Sequence, residues 1–227
     1  MTFAVDHIVI AVDNLKAAAE RYRADGYTVI PGGKHANRAT ANALICFADG
    51  SYLELLAATG DPPQPGKIDF SRMLAAGDGP AGFALRVNRL DALAAALRSK
   101  EVPVGDVVVG ERKRPDGERV AWKLALVDDG FTPFLIEDVT PHQLRVPDDP
   151  AITTHANGKR GIESVIIGAH DLSATAKRYM RLLGTSPDTL MRFRLENADI
   201  ALEWRKDQAQ EERLIDVSYY RTVEGDD

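Results

Sequence analysis

The hydrophobic positions of this chain change period in the same way three times. From Asp6 a short apolar run, HIVIAV, gives way to Leu15, Ala18, Ala19 and Tyr22 at i, i+3, i+4 and i+7, one face of a helix. GFALRV is followed by Leu90, Leu93, Ala94 and Leu97 in the same phase, and SVIIGA by Leu172, Thr175, Ala176 and Tyr179. The helix-start leucines lie 75 and 82 residues apart. One amphipathic helix after a strand says little, whereas three in one register mark an internal repeat. Asp13 and Asn88 stand where N-caps are expected, since their side-chain oxygens can accept the orphan amide hydrogens of a first turn.

The segments after each helix recur too. YTVI, NALICFAD and SYLELLAA read as three strands, with Asp49-Gly50 as a hairpin turn. PVGDVVVG, ERVAWKLALV and TPFLIEDV repeat the pattern, with Pro115-Asp116-Gly117 as a turn. In the third unit MRFRLEN and DIALEWR form a hairpin, RLIDVSYYR adds a strand, and the charged tail EGDD is expected to fray. Each unit is therefore βαβββ. Such a unit exposes one sheet face, so the pattern predicts an α+β fold of paired βαβββ modules around a cupped mixed sheet, with helices outside. Residues 1–140 hold modules 1–60 and 79–140; residues 141–227 hold a linker, a partial third module and a C-terminal tail. A doubly wound sheet is disfavoured, because consecutive strands outnumber helices.

Composition narrows the function classes. With 44% hydrophobic and 27% charged residues the chain reads as a soluble globular protein. A net charge of −6 argues against a nucleic-acid backbone or an anionic membrane as partner. The single cysteine, Cys46, rules out an intramolecular disulfide and a thiolate metal cluster. The first residues lack the pattern of a signal peptide and no apolar stretch is long enough to span a membrane, so a cytoplasmic location is expected.

The runs DHIVIAVDNL and YLELLA resemble the vicinal-oxygen-chelate superfamily. GGKHANRATANALICFADGSYLELLA, GFALRV, RPDGERVAWKLAL and TPFLIED resemble its glyoxalase-like domain family, well over Val5–Asp138 and more loosely over Gly161–Trp204. The resemblance implies a small-molecule ligand in a concave cavity, either turned over by a lyase or isomerase or merely sequestered, as in the bleomycin-resistance branch. In metal-using members the first and last strands of two paired units hold the metal. The matching positions here are His7 and Glu54, then Gly82 and Glu137. The resemblance thus implies one divalent metal ion on His7, Glu54 and Glu137, with Glu54 or Glu137 also moving a proton alpha to a carbonyl. Gly82 leaves a gap in that set. The alternative is a polar pocket without metal, lined by the same three residues. Two strand-borne histidines are missing, which disfavours dioxygenase chemistry.

Alternation supports part of this set: Tyr52, Glu54 and Leu56 share a face, as do His7, Val9 and Ala11, and Leu135 goes with Glu137. Four residues are expected to bind substrate. His35 and Asn42 lie in a motif-like loop and strand start behind Gly32 and Gly33. Arg86 shares a face with Gly82 and Ala84, where its fork suits a carboxylate or phosphate or an internal salt bridge. Trp122 is expected as core or one wall of a pocket. The basic run Arg112-Lys113-Arg114 reads as a solvated hairpin tip or a lip for an anionic ligand, and His142, His155 and His170 carry no assigned role. Ser164 and Glu203 occupy the third unit's equivalents of His7 and Glu54, so that unit is expected to support the fold or to pair with a second copy, making a homodimer.

Overall fold

The structure is a computed structural model and describes residues 2–36, 38–64, 70–75, 77–114, 116–127, 133–206 and 212–222. Its larger sheet has eight strands in the order β2-β3-β4-β1-β5-β8-β7-β6. The first module supplies β1 (Ala4–Ala11), α1 (Leu15–Ala24), β2 (Ile30–Lys34), β3 (Thr40–Cys46) and β4 (Tyr52–Ala58). After α2 (Ser71–Leu74), the second supplies β5 (Gly79–Arg86), α3 (Leu90–Arg98), β6 (Val108–Lys113), β7 (Arg119–Leu126) and β8 (Phe134–Asp138). In each module the first strand runs parallel to the last (β1 with β4, β5 with β8), and β1 and β5 pair antiparallel at the centre. The two outer edges curl towards each other, closing through a bridge between His35 and Arg112 and a hydrogen bond from the Ala36 amide to the Glu111 carbonyl. The result is the expected cupped mixed sheet.

Two short helices, α4 (His142–Arg145) and α5 (Pro150–Thr153), lead to the third module: β9 (Lys159–Ala169), α6 (Leu172–Leu183), β10 (Arg192–Arg194), β11 (Asp199–Trp204) and β12 (Arg213–Arg221). It forms a second sheet, β10-β11-β9-β12, in which β11 runs parallel and β12 antiparallel to β9. That repeats the relation of β4 and β5 to β1. The expected hairpin and final strand are both present, whereas the 224–227 tail and Pro115 of the expected turn lie outside the described residues. The third module packs on the first two within the same chain: Val5, Ile8, Phe83 and Leu85 share one buried core with Ile162, Val165, Ile167 and Tyr179. Each such fully buried aliphatic side chain contributes about 1.5–3 kcal/mol. The Asn197 side chain adds a polar tie, accepting from the Val5 amide at 2.8 Å and donating to its carbonyl at 3.0 Å. Among the described residues no helix is long and apolar enough to cross a membrane.

Local chemistry departs from the expectation at three points. Helix α1 is capped by Asn14 rather than Asp13, its Oδ1 accepting from the Ala17 amide at 3.0 Å. Helix α3 is not capped by Asn88. Its first amides, Arg89 and Leu90, donate to the Glu137 carboxylate at 2.7 and 3.0 Å, so the cap comes from the neighbouring strand. The second strand of module one begins at Ile30 and runs through Pro31, Gly32 and Gly33 instead of covering YTVI; an edge strand with a bulge tolerates the missing proline N–H.

Candidate functional site

The concave face encloses a cavity of about 40 Å³, room for a few water-sized groups. Most of its polar groups come from module one, joined by Arg112 of β6 and Arg145 of α4. His7 points inward from β1, Asn42 from β3, Tyr52 and Glu54 from β4, and His35 follows β2. Module two contributes apolar wall: Trp122 and Leu124 from β7, and Phe134 and Ile136 from β8. Phe70, Val9, Leu44 and Leu56 complete the apolar surface.

Glu54 is the hub of the polar half. The Asn42 amide donates to its Oε1 at 2.6 Å; His7 Nε2 lies 3.4 Å from Oε2 and His35 Nε2 lies 3.5 Å from Oε1. Because a carboxylate only accepts, the near atom of Asn42 is its nitrogen. The other amide oxygen, Asn42 Oδ1, is buried without a hydrogen-bond partner and packs on Gly32, where any Cβ would collide with it. Gly32 thus makes room for Asn42. His7 faces carboxylates on both sides, with Nδ1 2.7 Å from Asp6 Oδ1, and it stacks on Tyr52 at 4.5 Å. His35 Nδ1 lies 2.8 Å from Thr40 Oγ1, and the Asn42 amide stands 3.3 Å from Nε2. The Asn42 amide N–H facing Nε2 favours that nitrogen as acceptor and the proton on Nδ1, while Glu54 Oε1 at 3.5 Å from Nε2 favours the other tautomer.

These surroundings drive the two imidazoles apart. Burial works against a charged His7, but hydrogen bonds and charge from Asp6 and Glu54 win and raise its pKa. Burial lowers the pKa of His35, and the attraction of Glu54 does not reverse it. Burial would push Glu54 up, yet His7, then His35 and Asn42, hold it down to about 2. The hub is therefore a carboxylate between one imidazole whose charged form is favoured and one whose neutral form is favoured.

Behind His7 lies a buried ionic network. Arg145 of α4 donates to both oxygens of Asp6 at 2.8 Å, to Asp138 Oδ1 at 2.5 Å and to the Tyr52 hydroxyl at 3.0 Å. Burial opposes the Arg145 charge, but Asp6 leads the groups that raise its pKa well above the ordinary value. Arg112 also lines the cavity, with its guanidinium tied to the carbonyls of Gly32 at 2.5 Å and Arg145 at 3.0 Å.

The expected residues divide. His7, Glu54, His35, Asn42 and Trp122 come together in the cavity. Glu137 does not join them: inward positions on β8 fall on Phe134 and Ile136, and Glu137 caps α3 on the other face. Arg86 also misses the cavity. It opens onto a separate groove, with Nη1 3.1 Å from His142 Nε2 and 3.8 Å from Asp6 Oδ2. Of the third-module positions, Ser164 is buried and Glu203 is exposed beside Arg205.

Two further residues line the cavity: Arg112, expected at a solvated hairpin tip or as a lip for an anionic ligand but buried here, and Arg145, which sequence reasoning did not single out. Arg112 was within reach of such reasoning: Val108, Gly110 and Arg112 alternate on β6 directly opposite Leu124, Trp122 and Val120 on β7, so it faces the same way as Trp122. Arg145 left only a faint signal, an arginine between Leu144 and Val146, both apolar.

The donor set fits a divalent cation poorly. With Glu137 turned away, module two offers no ligand among the described residues to pair with His7 and Glu54, and two guanidinium groups line the same cavity. Among the described residues, Asp6, Asp138 and His142 are the three whose donor atoms gather within 4.8 Å of one another. Arg145 already bridges the two carboxylates of that set.

A model of the glyoxalase-like domain family matches residues 5–183. No curated protein matches the sequence. Among solved structures, a hypothetical protein from Staphylococcus aureus is similar at 21% identity, covering 90% of this chain and 87% of that one with a TM-score of 0.73. A methylmalonyl-CoA epimerase from Streptomyces coelicolor is 25% identical over 62% of this chain and 97% of its own, with a TM-score of 0.46. The corresponding figures for a methylmalonyl-CoA epimerase from Mycobacterium tuberculosis are 24%, 60%, 87% and 0.42.

Proposed function

The chain belongs to the glyoxalase-like domain family of the vicinal-oxygen-chelate superfamily, and from that premise we propose that it catalyses proton transfer alpha to the carbonyl of a small molecule, as an isomerase or lyase. The observation that supports this is the pair of imidazoles, His7 and His35, on either side of Glu54 with opposite protonation preferences. Two titratable groups pushed apart by their surroundings divide acid and base roles. In this reading His35 Nε2 takes the proton from carbon. The electron pair moves onto the carbonyl oxygen, and the His7 imidazolium stabilises the resulting enolate. Returning the proton to the same carbon, or to its neighbour, completes exchange or isomerisation. Glu54 holds His7 in its charged form and is not itself the proton carrier, because a carboxylate at about 2 has little proton affinity at neutral pH.

Deuterium incorporation from D₂O into small ketones and aldehydes, followed by NMR, tests the proposal. Wild-type protein should exchange alpha hydrogens faster than buffer, His35→Gln should lower the rate by about 10²-fold or more, and chelators should leave it unchanged. Exchange that is absent throughout a carbonyl panel, or indifferent to His35, would sink it. A second reading, sequestration without reaction, is favoured by how many of the polar groups already bond one another, Asn42 Oδ1 excepted. It predicts ligands recovered unchanged with their alpha hydrogens intact.

A further inference from the structure

We propose that the ligand of this cavity carries a carboxylate that pairs with Arg112, and that the class admitted is the short 2-oxo acids. This rests on reading the cavity as the ligand site and names what enters it. The two guanidinium groups that line the cavity are held in different ways. Arg145 clasps Asp6 and Asp138, so its charge is answered within the protein, and Arg86 meets Asp6 from a groove outside the cavity. Arg112 is also buried, only 6% exposed, yet among the described residues no carboxylate forms an ion pair with it. Its guanidinium donates to the carbonyls of Gly32 and Arg145, which supply dipoles but no counter-charge and leave other N–H groups of the fork unused. Glu54, the carboxylate that lines the cavity, is engaged by Asn42, His7 and His35 instead. A cation taken out of water without a counter-ion is costly. A carboxylate arriving with the ligand removes that cost, in the paired geometry a guanidinium favours.

Place and size decide the class of acid. Arg112 stands at the seam of the curled sheet, in a backbone bridge with His35, whose side chain lines the same cavity. A carboxylate on Arg112 is therefore close to the imidazole that takes the proton in the reading above, so the reacting carbonyl has to follow it closely along the ligand. A cavity of about 40 Å³ admits a body of few atoms. A ketone directly beside the carboxylate meets both conditions and leaves a short alkyl end for the apolar wall of Trp122, Leu124 and Phe134.

Pyruvate and pyruvamide have the same shape and differ in charge. Each is titrated into the intact protein at fixed ionic strength, with the Trp122 indole and the Arg112 guanidinium signals followed by NMR. Pyruvate should bind at least about tenfold more tightly than pyruvamide. Arg112→Gln should abolish that preference, and Arg112→Lys, which keeps the charge and loses the fork, should retain part of it. Equal affinity of the wild type for the two compounds, or no response to either, would overturn the proposal whether or not a variant folds. A folded Arg112→Gln protein that keeps the preference would also overturn it, since Arg112 would then be only a strut between β6, β2 and α4. The two readings fail separately. Pyruvate that binds but keeps its methyl hydrogens in D₂O counts against proton transfer alone, whereas exchange of neutral ketones without pyruvate binding counts against this proposal alone.

Discussion

Strands β1 and β5 open equivalent modules and pair with each other across the middle of the sheet, yet His7 on one faces Ala84 on the other. The closing strands differ in the same sense: β4 sends Tyr52 and Glu54 into the cavity, and β8 sends Phe134 and Ile136. One backbone plan thus yields a titratable half and an apolar half. The difference teaches that one repeated fold can hold its imidazoles and its carboxylate on one side, with Arg112 of β6 the charged exception on the other. Across the seam, Arg145 joins the halves by holding Asp6 at the start of module one and Asp138 at the end of module two.

Removing that joint should have the largest effect. Arg145→Met leaves two buried carboxylates without their main partner and should cost about 3–5 kcal/mol at neutral pH by chemical denaturation. Part of the loss should return towards pH 5, as the unpaired carboxylates take up protons. Unchanged stability would mean that the clasp does not hold the halves together.

Acid should weaken the polar half selectively. Glu54 falls from an ordinary 4.5 to about 2 on folding, so its stabilisation is present above about pH 4.5 and is lost as pH falls through about 2. The amount is on the order of 3 kcal/mol. Glu54→Gln should flatten that part of the stability–pH curve. His7 has the opposite sign: its raised pKa stabilises fully below the unfolded value of 6.5, and that contribution fades as pH rises through the folded pKa.

The apolar half is sharpened by Gly110, on which the Trp122 indole lies so closely that a Cβ would collide with Nε1. Gly110→Ala should displace the ring, cost about 1–3 kcal/mol and weaken ligand affinity more than the exchange rate constant. Equal loss in both would place Trp122 nearer the chemistry than a wall. Glu137→Ala should be the mildest change. It removes the acceptors at the start of α3 for about 1 kcal/mol, measured by thermal or chemical denaturation, and leaves alpha-hydrogen exchange unaltered. A collapse of exchange would return Glu137 to the site.

How much of this was legible in the sequence follows from where a strand carries a marker of its phase. Around Glu54 a marker exists: β4 is buried on both faces, as β8 is, but Glu54 interrupts its apolar run in register with His7 and Val9. In FLIED there is none, because Phe134, Leu135 and Ile136 are all buried, one parity towards the cavity and the other towards the helices. A strand buried on both faces reads as one apolar run, so Glu137 could be matched to Glu54 one position out of step. Helix periodicity carried the repeat, and with it the cupped sheet. The Asp6–Arg145–Asp138 clasp had no local pattern to betray it, since only the closed fold brings β1, β8 and α4 together.

The central claim is that Glu54 stands between one imidazole whose charged form is favoured and one whose neutral form is favoured. Titration of ¹⁵N-labelled histidine rings by NMR measures this most directly. The account predicts that His7 titrates above 6.5, while His35 titrates below 6.5 and in its neutral form carries its proton on Nδ1. Two rings titrating together near the ordinary value, or His35 holding the charge in place of His7, would contradict it.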